Sequence, residues 1–268
     1  DMKRALCVVA LLFIAGLFAL PILWLVTAPF NERPTLGLQF GKPTLSNFEG
    51  VFRNPTAVRG LRNSLLQAAA TMLIATPVAT MAAYAFSRAS FPGQHTILYF
   101  LILLSSVVSG VSAMVPLYVL MQTLGLIDKH VGLVMVYVGG LLPTNMFIMK
   151  DFVDSIPRAY EEAALVDGST PRQVLLNIAF PLCRPGMAVI AVLIFVSTWS
   201  NFLMPFILLR SASKAPASVA IYTFFNEVGI PLIGLIAAYS FIYTFPVVVL
   251  YLIVNRKFGF RFYGGIKG

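Results

Sequence analysis

Six stretches of this chain contain no Asp, Glu, Lys, Arg or His: residues 5–28, 64–86, 96–121, 131–149, 187–209 and 232–254. Each is close to the roughly 17–25 residues that a helix needs to cross the hydrocarbon core of a bilayer. They predict an all-α polytopic membrane protein of six transmembrane helices, with a polar loop at 150–186 between spans four and five. Pro21, Pro77, Pro116, Pro143, Pro205 and Pro246 fall inside the runs. Neighbouring helices and hydroxyls can satisfy the carbonyls that such prolines free. Composition agrees: charged residues make up 11% of the chain, against about 25% in an ordinary soluble domain.

The distribution of Lys and Arg sets the expected orientation. With the N-terminus inside, the inner segments hold Lys3, Arg4, Arg88, Lys150, Arg158, Arg172, Arg184, Arg256, Lys257, Arg261 and Lys267, eleven against eight outside. This excess favours both termini in the cytoplasm. The same topology explains the net charge of +9, because the basic residues are scattered and form no stripe with stacking aromatics, as nucleic acid would require. The first run reads as a retained span, since no small-x-small site follows it and Trp24, Pro29 and Phe30 come next. The chain opens on Asp1, which leaves room for residues upstream. In the outer loop 29–63, Ser46 and Glu49 have capping-box spacing ahead of Phe52. Either a short helix on the outer interface or a surface loop with one helical turn fits. Thr71, Ala75, Ala79 and Ala83 recur every four residues in span two, a pattern for close helix packing.

Several chemistries are missing. Proton- and voltage-driven transporters carry ionisable groups at membrane depth, and these spans carry none. An ATP site needs G-x-x-x-x-G-K-[ST], so that backbone amides surround the phosphates. The nearest approach, Gly37 to Lys42 followed by Pro43, lacks one residue between the glycines and the hydroxyl after Lys. His95 and His130 sit at span edges without Cys or carboxylate partners at metal spacing, so each reads as an interfacial histidine. Cys7 and Cys183, the latter expected in a polar loop, lie far apart in sequence, and no disulfide between them is expected. The chain is therefore expected to bind no metal or cofactor and to hold no catalytic residue.

Five of the ten carboxylates, Asp151, Asp154, Glu161, Glu162 and Asp167, lie in the loop 150–186. Ser155, Ile156 and Pro157 form a helix-start signal, and Gly168 is a suitable stop. Thr170, Pro171 and Gln173 form a second start, for a helix expected to end near Pro181. Ala163 and Ala164 make the first helix narrow, while Glu161, Glu162 and Asp167 leave it charged. Such a helix–turn–helix could dock into a partner's groove or pack on its own membrane domain, since capping is the same for both.

Glu162-Ala163-Ala164, then Gly168 after three residues, then Ile178 and Pro181, resembles the EAA signature of binding-protein-dependent ABC importer permeases. Phe180 stands where leucine is usual. Residues 63–88, TWSNFLMPFILL at 198–209 and the terminal GGIKG are similar to the maltose-type carbohydrate permeases. The resemblance implies a single ABC importer transmembrane domain over 1–268 in a bacterial or archaeal plasma membrane. It implies as partners a second homologous permease subunit, two ATPase subunits that carry ATP and Mg, and an external solute-binding protein or lipoprotein. It makes the EAA helix a coupling helix, so that Glu161, Glu162, Ala163, Ala164, Asp167 and Gly168 would meet the ATPase. Glu162 would face a basic residue in the cleft or cap the local backbone. The tail at Gly264–Gly268 would be a second contact.

Sugar sites pair aromatic faces with hydroxyl and amide hydrogen bonds. Candidates within the spans are Ser105, Ser109, Asn145, Ser197, Trp199, Asn201, Tyr239 and Tyr243. Polar residues at this depth also serve as links between helices. The expected cargo is a di- or oligosaccharide. A glycerol phosphodiester or polyol on the same architecture, or a secondary transporter working alone, are the alternatives.

Overall fold

The computed structural model describes residues 2–38, 41–89, 92–108, 113–226 and 228–258. Twelve helices lie among them: α1 (Met2–Thr27), α2 (Ser46–Arg53), α3 (Pro55–Arg88), α4 (Gln94–Val108), α5 (Met114–Thr123), α6 (His130–Asp154), α7 (Ala159–Val166), α8 (Pro171–Val174), α9 (Phe180–Trp199), α10 (Leu203–Leu208), α11 (Ala217–Ala220) and α12 (Ile233–Phe258). Five stretches are long and apolar enough to cross a membrane: Leu6–Phe30, Pro55–Arg88, His130–Asp154, Pro171–Trp199 and Ile233–Lys257. The expected span 96–121 falls on α4 and α5, and residues 109–112 between them lie outside the described residues. Ser109 and Gly264–Gly268 also lie outside them, as do the side chains of Ser105 and His95.

The core is built around α3, which packs most extensively on α6 and α9. Its small residues make this possible. Thr71, Ala75, Ala79 and Ala83 are fully buried, and the three alanines meet Met146, Met149, Val153, Ile190 and Ile194 in one cluster. With methyls on one side, the larger side chains of α6 and α9 fill the space between backbones, and the four-residue spacing holds that face along the helix. At Gly186 a Cβ would lie 2.7 Å from the Phe152 ring, so α9 approaches α6 there as closely as glycine permits.

Two expected boundaries change. Span five does not run unbroken over 187–209: α9 ends at Trp199 and α10 begins at Leu203. Ser200 Oγ donates back to Val196 O at 2.7 Å, alongside the Ser200 N–H, and Asn201 Oδ1 accepts from Met204 N at 3.1 Å, so side chains help close α9 and open α10. Conversely, no helix ends near Pro181. A π turn, Leu175–Ala179, joins α8 to α9, with Phe180 N donating to Leu175 O. Proline lacks an N–H and collides with the carbonyl four residues back, and the wider turn before it relieves both. Cys183 is accordingly buried on a helix and does not sit in a polar loop.

Beyond α1, the described residues of 29–63 pack on the bundle. The short helix α2 is present, but Ser46 is its first residue and Leu45 its N-cap, with no side-chain bond to it. Thr44 Oγ1 instead accepts from Ser46 N at 3.1 Å. Phe48 of α2 meets Phe30 and Phe241, ring centroids 5.0 and 5.9 Å away, so the helix packs on α12. At the start of α6, Asp128 adopts φ 56° and its carboxylate gathers Ser211 N, Ser211 Oγ and Arg210 N. Lys214 Nζ lies 2.9 Å from it, which ties the α5–α6 turn to the segment after α10.

Candidate functional site

At the opposite end of α6 the chain leaves the bundle. Ser155 does not start the next helix as expected. It closes α6, its hydroxyl donating to Phe152 O at 2.6 Å. The next helix, α7, starts at Ala159 behind Arg158. It ends in the expected glycine turn. Gly168 N donates to Leu165 O at 3.1 Å and Ser169 N to Ala164 O at 2.9 Å, the paired bonds of a Schellman end. Gly168 has φ +86°, while a Cβ there would meet nothing within 4 Å, so backbone conformation alone selects glycine. The second start is also found. Thr170 N donates to Gln173 Oε1 at 2.7 Å and Gln173 N to Thr170 Oγ1, a complete capping box.

Glu162, Ala163, Asp167 and Gly168 are exposed, and Ala164 is half-buried. Tyr160, Leu165 and Val166 are exposed beside them, Val166 at 87%. These three residues are exposed on the same short helix, spread around its axis. Sequence reasoning passed over them because an apolar residue in an apolar chain is no signal. The clue was their place in a charged loop.

Glu161 behaves differently from its neighbour. It is 8% exposed, with Oε1 accepting from Arg88 Nε at 2.8 Å and Oε2 from the Tyr84 hydroxyl at 2.7 Å. It therefore faces α3 and its own bundle, not the protruding face on which it was expected. Arg158 Nη2 donates to Ser87 O at 2.9 Å, and Ser87 Oγ to Asp154 Oδ1 at 2.5 Å. Lys150 Nζ completes the cluster on Asp154.

The expected solute-path residues separate in the same way. Trp199 is 3% exposed, stacked between Phe195 and Tyr243. Its Nε1 donates to Tyr243 O at 3.1 Å, and the Tyr243 hydroxyl donates to Trp199 O at 2.5 Å. This reciprocal pair locks α9 to α12. Tyr239 is buried, its hydroxyl donating to Ala217 O at 3.2 Å. Asn145 Nδ2 donates to Leu141 O at 2.8 Å, while its buried Oδ1 has no hydrogen-bond partner among the described residues. Ser197 is exposed. Asn201 lines a cavity of about 320 Å³, walled by residues of α5, α6 and α10 that include Met121, Tyr137 and Met204. His130 Nδ1 accepts from Gln67 Nε2 at 2.9 Å. Among the described residues no group of His, Cys, Asp and Glu could hold a metal ion.

Known proteins resemble the chain in sequence and in fold. The family described as "Binding-protein-dependent transport system inner membrane component" matches residues 57–259. The trehalose transport system permease protein SugB of Mycobacterium tuberculosis is 32% identical over 251 residues, covering 91% of this chain and 90% of that protein. The galactooligosaccharides transport system permease protein GanQ of Bacillus subtilis is 30% identical over 254 residues, covering 92% and 89%. A chain of a bacterial ABC transporter that imports the acidic polysaccharide alginate superposes with a TM-score of 0.81 at 23% identity, covering 96% of this chain and 97% of that one. The fold is therefore that of an ABC importer permease. With three-quarters of its length under one family pattern, the chain belongs to the binding-protein-dependent inner-membrane transport components, non-catalytic permease subunits of ABC transporters.

Proposed function

We propose that the chain is one of two permease subunits of an ATP-driven sugar importer, both termini cytoplasmic, and forms half of the path for a di- or oligosaccharide. An external binding protein delivers the sugar, and a pair of separate ATPase subunits, which carry ATP and Mg, closes beneath the membrane. The protruding α7 carries this reading: a narrow, Ala-containing helix with exposed Glu162, Ala163, Val166 and Asp167, ended by a rigid glycine turn. A helix that served only its own bundle would bury its apolar residues, whereas Val166 and Leu165 stand in the open. ATPase closure pushes such a knob, and the spans rotate from inward-open to outward-open.

A sugar cargo is supported by relatives whose names carry trehalose, galactooligosaccharides and maltodextrin. It is also supported by a cavity lined by Asn201 and Tyr137 amid apolar side chains, with no basic residue for a phosphate. The test is reconstitution of the two permeases and two ATPase subunits in proteoliposomes with the binding protein. Radiolabelled trehalose, maltodextrin and galactooligosaccharide form the panel. Uptake that requires ATP, and is lost in Glu162→Lys while the variant chain still inserts, is the expected result. Concentrative uptake by the purified chain alone would overturn the reading.

A further inference from the structure

The ion pair between Glu161 and Arg88 is buried at the base of α7, away from the cavity and from the exposed face that would dock. Its role follows from how α7 is otherwise attached. The chain enters through Pro157 and leaves through Gly168, and a helix of eight residues hung on those two points would answer a push by swinging. Side chains prevent this. Arg88 directs Nε to Glu161 Oε1 at 2.8 Å, Nη1 to Ser87 Oγ at 3.1 Å and Nη2 to Ile156 O at 3.0 Å, so all three nitrogens are engaged. Tyr84, one turn earlier, holds the other carboxylate oxygen, and Arg158 grips the backbone of Ser87. The last turn of α3 is thus bonded to residues 154–161 from several directions.

What α3 receives at that end it can deliver at the other. It is a helix of 34 residues, about 50 Å long. At its far end Asn63 Nδ2 donates to Ser213 O and Ala215 O, both at 3.0 Å, and Ser64 Oγ accepts from Ala217 N at 2.8 Å. Between the two ends the buried small residues seat it on α6 and α9. We infer that Glu161 is a positioning residue that joins α7 to α3 through Arg88 and Tyr84, so that displacement of α7 becomes displacement of α3 and reaches residues 213–217. This rests on the importer reading above. The two adjacent glutamates then have different roles, Glu162 facing outward and Glu161 transmitting inward.

The experiment uses the full reconstituted complex and reads sugar taken up per ATP hydrolysed, with the panel sugar that the wild type carries. Glu161→Ala is expected to assemble and hydrolyse ATP while this ratio falls about tenfold, in the range of mutations that alter coupling between distant sites. Glu161→Gln, which can still accept from Arg88 and donate to the Tyr84 oxygen, is expected to recover most of it. Tyr84→Phe removes one hydroxyl and no charge. It guards against a Glu161→Ala chain that fails to fold, and a fall of about threefold is expected. A role confined to stability would lower the amount of complex and leave the ratio untouched. An unchanged ratio in Tyr84→Phe and Glu161→Ala, with ATP-dependent uptake intact in the wild type, overturns the joint alone. Absence of ATP-dependent uptake in the wild-type complex overturns the importer reading, and the joint with it.

Discussion

At the scale of single residues, polar groups in the membrane-spanning part serve mostly to hold helices together. Trp199 and Tyr243 each donate to the other's backbone carbonyl and stack at 5.1 Å between centroids, which commits the polar donor of each ring to the other helix. Trp199→Phe keeps a ring for the stack and removes one hydrogen bond, so it is expected to cost about 0.5–1.5 kcal/mol. Thermal unfolding in detergent should fall accordingly, while the sugar concentration for half-maximal uptake should stay at the wild-type value. A shift in that concentration would return Trp199 to the path. Composition and motif place Trp199, Asn201, Tyr239 and Tyr243 at membrane depth equally well. They do not say which face of α9 or α12 Trp199, Tyr239 and Tyr243 occupy, because these helices are apolar on all sides, nor that Asn201 falls in the break between α9 and α10. The two adjacent glutamates pose the same problem in a polar setting. Neighbouring positions on a helix lie about 100° apart, so Glu161 and Glu162 cannot share a face. Which one turns inward depends on where Arg88 arrives from α3, 73 residues before Glu161 in the sequence.

At the scale of elements, most of what positions the site was legible. The uncharged runs placed α1, α3, α6 and α12, the small-residue stripe named the face of α3 that packs, and Gly168 with Thr170 and Gln173 marked the turn after α7. The misplaced ends share one cause. Ser155 and Pro181 are each a start or stop signal in water, yet each acts here on a helix already held by its neighbours. A Ser hydroxyl closes α6 where it was expected to open α7, and a π turn carries the chain past Pro181 where a stop was expected. Local signals state what a segment permits, and packing decides among the options. Because α3 is seated by methyl groups, the element-scale prediction concerns Ala79. It is fully buried in the cluster that also holds Met146 and Met149 of α6 and Ile190 and Ile194 of α9. Ala79→Leu is expected to overpack this seam and cost about 1–3 kcal/mol. The check is a thermal unfolding midpoint measured against Leu73→Ala, an exposed position on the same helix that should change little.

At the scale of the whole molecule, α6 runs between two charged clusters, one at each end. The cluster beside α7 joins that helix to α3. The cluster at the start of α6 joins the α5–α6 turn to the segment 209–216 that follows the break in span five. Its centre is Asp128. Hydrogen bonds from the Ser211 hydroxyl and backbone, then from Lys214, hold its carboxyl well below the usual carboxylate range, outweighing what little desolvation raises it. The sign of the effect on stability follows. A carboxyl whose folded value is depressed adds stability that is complete above its unfolded value, near 4, and that is lost as pH falls toward the folded value. Asp128→Asn cannot carry that charge at any pH. The wild type is therefore expected to unfold at a higher temperature than Asp128→Asn at pH 7, with an equal gap at pH 5. Between pH 4 and pH 3 the gap should begin to narrow as the carboxylate takes up protons in the unfolded chain. Thermal unfolding of both proteins in the same detergent across that range is the measurement. A gap that widened toward acid, or never appeared at neutral pH, would mean that Lys214 and Ser211 hold the segment without Asp128. The two ends of the bundle would then differ in kind, with an ionic joint beside α7 and only backbone bonds at the other.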